Sequence, residues 1–152
     1  MKRSIILSLA LFLFSNIMIF PQETEEMKYP PQAILNAAYM GDIQMMERIL
    51  HTNPDKDARD ALGGTALHVA VFKSNLEAIQ LLLEHGFDIN AKTSSTGYTP
   101  LHYCVWLNNL NVARFLLLYN ADRNIRDNNG QTPLEKAAKE SKRDMMLILS
   151  RR

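Results

Sequence analysis

The chain has a single cysteine, Cys104, among its 152 residues, so it can form no intramolecular disulfide. A lone cysteine flanked by apolar residues reads as a small buried hydrophobe rather than a reactive thiol. Nor does either sign of charge dominate. Seventeen Lys and Arg stand against 16 Asp and Glu, a formal net charge of +1, and there is no basic footprint for nucleic acid. The sequence contains no Gly-rich phosphate loop and no nucleophile elbow. No titratable groups are spaced to converge in a catalytic cleft. The expectation is a non-enzyme, without cofactor, metal or small-molecule substrate. What remains is ordinary globular material: 47% hydrophobic and 8% aromatic residues, enough for one domain with a packed core.

The first twenty residues differ from the rest. Met1-Lys2-Arg3 is a short basic start, and Ile5 to Phe20 is apolar apart from Ser8, Ser15 and Asn16, with Pro21 ending the run. Basic flank, apolar stretch and polar exit make a secretory signal. As a helix the apolar run would span roughly 24 Å, less than the roughly 30 Å of a bilayer's hydrocarbon core. A signal peptide is therefore favoured over an uncleaved signal anchor. No A-x-A pair precedes Gln22, and Ser15 is the best-placed small residue for cleavage. No cysteine follows that could be lipidated, and no Asn-x-Ser/Thr sequon occurs, which favours a bacterial periplasm over a eukaryotic secretory route. Residues 21–31 are polar and end in Pro30-Pro31, which reads as a linker. Removing Lys2 and Arg3 with the leader leaves 15 basic against 16 acidic residues, a net of −1.

From residue 32 onward the chain repeats itself every 33 to 34 residues. Gly64-Thr65-Ala66-Leu67-His68-Val69-Ala70 recurs as Tyr98-Thr99-Pro100-Leu101-His102-Tyr103-Cys104, and again as Gln131-Thr132-Pro133-Leu134-Glu135-Lys136-Ala137. Leu76 through Asn90 matches Leu110 through Asn124, and a degenerate copy opens at Ala37-Ala38-Tyr39-Met40-Gly41. Gly63, Gly97 and Gly130 each stand two residues before a repeated threonine, where a tight turn needs positive φ. The threonines cap a first helix, and Pro100 and Pro133 fill its first turn. That helix presents Leu67 and Ala70, Leu101 and Cys104, Leu134 and Ala137 to its neighbours. A second helix follows with Leu76, Ile79, Leu82 and Leu83 at helical spacing, and Gly86 and Asn120 end their helices in the left-handed conformation. Units this small cannot bury their own apolar faces and must stack.

Period and motif together resemble the ankyrin repeat, whose marks are a 33-residue spacing and T-P-L-H-x-A. The resemblance covers residues 32–152, with units at 32–60, 61–93, 94–127 and 128–152. It implies an all-α solenoid of stacked helix-turn-helix pairs joined by β-turn or hairpin loops. It also implies that His68 and His102 make a hydrogen bond tying turn to helix. The even spacing of His51, His68, His85 and His102, 17 residues apart, therefore does not signal a metal site. The terminal units are expected to present polar outer faces. Ser94-Ser95-Thr96 holds a one-residue insertion between the second and third units. The basic C-terminal residues, Lys136, Lys139, Lys142, Arg143 and Arg151-Arg152, are interleaved with Glu135, Glu140 and Asp144, which reads as a solvated helical end.

Ankyrin arrays bind other proteins through the concave face built from turn tips and first helices. Mapped onto this chain, the variable positions at the first-helix exit are Tyr39-Met40, Phe72-Lys73, Trp106-Leu107 and Lys139-Glu140. Tyr39, Phe72 and Trp106 would form an aromatic ladder with Met40, Lys73 and Leu107 beside it, and Tyr98 extends it from a turn tip. Either these rings form a binding stripe or they fold down to fill gaps between helices. The turn tips Ala61, Leu62, Ser95, Thr96, Asn128, Asn129 and Gln131 would widen the surface. The expected function is a protein-interaction scaffold in an exported compartment, periplasmic or secreted. Two other readings are a membrane-anchored assembly factor, if the leader is uncleaved, and a secreted effector binding a host protein.

Overall fold

A turn closed by glycine opens each of the last three units, and in this computed structural model it sets the whole architecture. The structure describes residues 29–151. The expected leader, and most of the expected linker, lie outside the described residues.

Among the described residues there are eight helices and no strands. They come in pairs: α1 Ala33–Met40 with α2 Ile43–Leu50, α3 Ala66–Phe72 with α4 Leu76–Glu84, α5 Pro100–Leu107 with α6 Leu110–Leu118, and α7 Pro133–Lys139 with α8 Arg143–Ser150. The all-α solenoid expected from the sequence is what the chain forms. Helices of seven to nine residues are too short to persist alone in water, so the stack must hold them. First helices pack on first helices along the array, and each packs on the second helix of its own unit.

The turns are glycine sites for two reasons. Gly63 and Gly97 have φ of 75° and 69°, and a Cβ at either would run into the backbone nitrogen of the next turn, Ser94 at 2.7 Å or Asn128 at 2.8 Å. That close approach lets Ser94 N–H donate to Gly63 C=O (3.2 Å) and Asn128 N–H to Thr96 C=O (2.9 Å). The inserted Ser95 contributes as well, donating its hydroxyl to Leu62 C=O at 2.6 Å.

Helix starts follow the sequence closely. Thr65, Thr99 and Thr132 are N-caps with capping boxes closed by His68, His102 and Glu135. Asp42, Asn75 and Asn109 cap the second helices, accepting from Met45, Ala78 and Val112 N–H. Ala70, Cys104 and Ala137 are wholly buried at equivalent places on their first helices. Leu67, Ile79, Leu82, Leu101 and Leu116 form the continuous core beside them.

Four expectations need correction. Leu76 occupies the first position of α4, outside its buried stripe, and is exposed. Leu83 and Leu134 are half-buried. The last unit's outer face is not wholly polar, because Leu134, Ala138, Met146 and exposed Leu147 line an apolar hollow of about 570 Å³ there. The basic C-terminal region is not simply solvated either. Lys136 is buried and paired with Glu140 at 2.7 Å, while Lys142 donates to the Val105 and Trp106 carbonyls at 2.6 and 3.1 Å. At the other end, Tyr29 packs against the core, so the linker is tied down before residue 31.

Candidate interaction face

The repeat register decides where the first-helix exits point. Tyr39, Phe72 and Trp106 each follow the last buried residue of a first helix, and each ends beside its neighbour in the stack. Phe72 and Trp106 stack with ring centroids 6.2 Å apart and planes at 22°. Lys73 Nζ sits 4.5 Å from the Tyr39 centroid, a cation over a ring contributed by the preceding unit. The three rings are 54%, 44% and 50% exposed. They do not fold into the inter-helix core.

Two hollows flank Trp106. One, of about 160 Å³, is lined by Tyr39, Asp60, Leu62, His68, Val69, Phe72, Tyr103 and Trp106. The other, of about 280 Å³, is lined by Leu62, Ser95, Thr96, Tyr98, Tyr103 and Trp106. Turn tips form one side of each and first helices the other. Tyr103 lines both, in T-shaped contact with Trp106 at 5.7 Å and with His68 at 5.1 Å.

The remaining expected site residues are dispersed. Met40 is 82% exposed but lines a different hollow, with Tyr29, Ala33 and Met45, on the outer side of the first unit. Leu107 is half-buried and lines neither hollow beside Trp106. Tyr98 is half-buried and serves packing as well as surface. Its ring stacks on His102 at 5.5 Å, and Lys136 Nζ lies 4.8 Å from its centroid. Of the turn-tip candidates, Leu62, Ser95 and Thr96 reach the two hollows.

Sequence reasoning missed Tyr103 and Asp60. Tyr103 occupies the x of T-P-L-H-x-A, where the other units carry Val69 and Lys136. An aromatic at a position the motif leaves open was the available signal. Asp60 is a turn residue whose Oδ1 accepts from Leu62 and Gly64 N–H, and the sequence carried no further signal for it.

The two motif histidines are fully spoken for. His68 Nδ1 accepts from Thr65 N–H, which leaves the proton on Nε2, and Nε2–H donates to Tyr98 C=O of the next unit at 2.9 Å. His102 repeats the pattern between Thr99 N–H and Gln131 C=O. Burial disfavours the imidazolium at both. It outweighs the carbonyl bond and brings the pKa of His68 down to about 4, and it also lowers that of His102. These rings are ties between units. Among the described residues no three His, Cys, Asp or Glu gather as a metal site.

Comparison with known proteins agrees with this geometry. The model of ankyrin repeats in three copies matches residues 34–127, more than half of the chain. The chain belongs to the ankyrin-repeat family. Such repeats generally mediate contacts between proteins, and proteins built from them are typically non-enzymatic scaffolds. The repeats are 39% identical over 61 residues to Delta-latroinsectotoxin-Lt1a of Latrodectus tredecimguttatus, covering 39% of this chain and 5% of the toxin. They are 46% identical over 41 residues to an ankyrin repeat protein of Rickettsia felis, covering 27% of this chain and 13% of that protein. The matched segments are thus small parts of both relatives.

Proposed function

We propose that this ankyrin array is a protein-binding module acting in an exported compartment, periplasmic or secreted, and that its partner docks on the face formed by Tyr39, Phe72 and Trp106. One observation carries the reading. Ile34, Leu67 and Leu101 on the same first helices are buried to 1% exposure or less, yet three aromatic rings at one repeated position stay half in water. A contiguous apolar patch held in water is costly unless a partner covers it, and Trp and Tyr are enriched among the side chains that anchor such contacts. The apolar run from Ile5 to Phe20 behind Lys2-Arg3 supports export.

The test is comparative. A partner captured from the native compartment by the wild-type chain is titrated against Trp106→Ala and against Phe72→Ala. Each substitution is expected to weaken binding by about 2 kcal/mol or more while leaving the far-ultraviolet circular dichroism unchanged. Equal affinity of both variants overturns the assignment of this face. The mass of the mature N-terminus tests export separately, since loss of the first 15 to 22 residues marks cleavage. An intact N-terminus in the membrane fraction would favour the anchored assembly factor instead.

A further inference from the structure

The smaller hollow beside Trp106 carries a charge as well as rings. Gly64 lies directly behind two residues of its lining, Asp60 and His68. At the equivalent position the third unit has Tyr98, whose ring covers His102 at 5.5 Å, and the fourth has Gln131. Gly64 is not among the positive-φ glycines, so its backbone conformation does not demand glycine. A Cβ there would meet Asp60 Oδ2 and His68 Cβ, each at 3.2 Å. Asp60 and His68 both line the hollow, alongside Tyr39, Phe72, Tyr103 and Trp106.

Asp60 is the only charged residue in that lining. Its Oδ1 accepts from Leu62 and Gly64 N–H at 2.8 and 2.7 Å, and among the described residues its carboxylate joins no ion pair. The adjacent cation is turned elsewhere, because Arg59 donates to Lys92 C=O at 3.0 Å and lies 3.8 Å from Asp57. His68 is neutral at pH 7 and adds no positive charge. Lys73 is a like charge to any entering cation, but it is exposed, outside the lining and screened by salt. Its seat over Tyr39 also shows that a ring of this face accepts a cation. A purely apolar side chain filling the hollow would cover the carboxylate without pairing it, at a desolvation cost. A cation would pair it and gain from the ring quadrupoles as well.

We propose that this hollow receives a cationic side chain of the docked protein, an arginine guanidinium or a lysine ammonium, held between the Asp60 carboxylate and the surrounding aromatic rings. The inference rests on the binding-face reading above and names the chemistry it selects. It is tested on the full chain with two matched pairs of probes: choline against its carbon isostere 3,3-dimethylbutanol, and N-acetyl-arginine amide against N-acetyl-citrulline amide. Trp106 is the sole tryptophan, so its emission and its indole N–H resonance report this site alone. Each cation is expected to give a saturable response at a concentration about tenfold below that of its neutral partner. Asp60→Asn, which keeps an acceptor for Leu62 and Gly64 N–H, should reduce that preference to about threefold or less. If that variant unfolds, Phe72→Leu keeps the apolar bulk without the ring, and it should lower the preference in the same way. Equal responses to cation and isostere overturn the cationic assignment while the apolar binding face stands. No saturable response to any probe also overturns it, and the capture experiment above then decides the face on its own.

Discussion

His68 and His102 are both wholly buried, but His68 borders a hollow whereas His102 carries the ring of Tyr98. Both rings are gripped alike, by the preceding threonine N–H on one side and by the next unit's carbonyl on the other. The difference lies in the residue before the threonine and in the x of the motif. In the third unit Tyr98 lies flat on His102, and Lys136 from the fourth sits over Tyr98. Burial alone would lower the pKa of Lys136, but Glu140 and Tyr98 outweigh it and raise the value. In the second unit Gly64 contributes no side chain, and Tyr103 meets His68 in a T-shaped contact with the planes at 71°. One backbone device therefore stands beneath a tyrosine ring in one unit and beside a hollow with a free carboxylate in the other. Stacking fixes the shared positions, and the free positions determine where a surface can receive something.

The comparison breaks first in the core. Leu101 and Leu67 are equivalent and both wholly buried, whereas Leu134 at the open end is half-buried. Leu101→Ala should cost about 2–5 kcal/mol in urea unfolding, through lost burial and an unfilled cavity. Leu134→Ala should cost clearly less, since no unit among the described residues covers it. A Leu101 variant within about 0.5 kcal/mol of wild type would mean the third unit's register is misplaced.

Acid should weaken both junctions next. His68 has a folded pKa of about 4 against 6.5 when unfolded. Above pH 6.5 the ring is neutral in both states and its ties are intact. Between 6.5 and about 4 the unfolded chain takes up a proton that the folded chain refuses, so stability falls with falling pH. The full loss from His68 is about 3 kcal/mol, and His102 adds a loss of the same sign. His68→Gln retains an N–H donor for Tyr98 C=O and cannot be protonated. Stability measured from pH 7 to pH 4 should therefore fall less steeply in this variant than in wild type. An unchanged slope would mean that His68 titrates normally and that the junction is wetter than its geometry shows.

Much of this was legible in the sequence because stacking is a local and repeated constraint. Gly63, Gly97 and Asn120 could be placed in left-handed positions from their spacing alone, and all three have positive φ. The capping threonines, Pro100, Pro133 and the buried Cys104 followed from the same register. What the period could not convey was cross-unit detail. Met40 and Tyr39 are adjacent in sequence, yet successive residues on a helix lie about 100° apart, and the two line different hollows. Lys136 looked like solvent-facing charge because its partners, Tyr98 and Glu140, come from another unit and another helical turn. Asp60 was hidden for the reverse reason, since its turn-forming role accounts for one carboxylate oxygen and gives no hint of the other.

The smallest effect on stability should come from the residue that matters most to the proposed face. Trp106 is 50% exposed, stacks on Phe72 at 6.2 Å and meets Tyr103 edge-on at 5.7 Å. Aromatic pairs of this kind contribute about 0.5–1.5 kcal/mol each beyond burial, and half of the ring already lies in water. Trp106→Ala should therefore lower stability by about 1–2 kcal/mol, under the cost at Leu101. Removing it touches neither the Lys142 bonds to the Val105 and Trp106 carbonyls nor the α5 cap at Asn108, which belong to the backbone. In the wild-type chain the emission of this single tryptophan should be red-shifted and quenched by iodide, as for a ring in partial contact with water. A blue-shifted, unquenched emission together with a loss above about 3 kcal/mol would assign Trp106 to the core. The face would then shrink to Tyr39 and Phe72, and the hollow beside His68 would lose its role as a binding site.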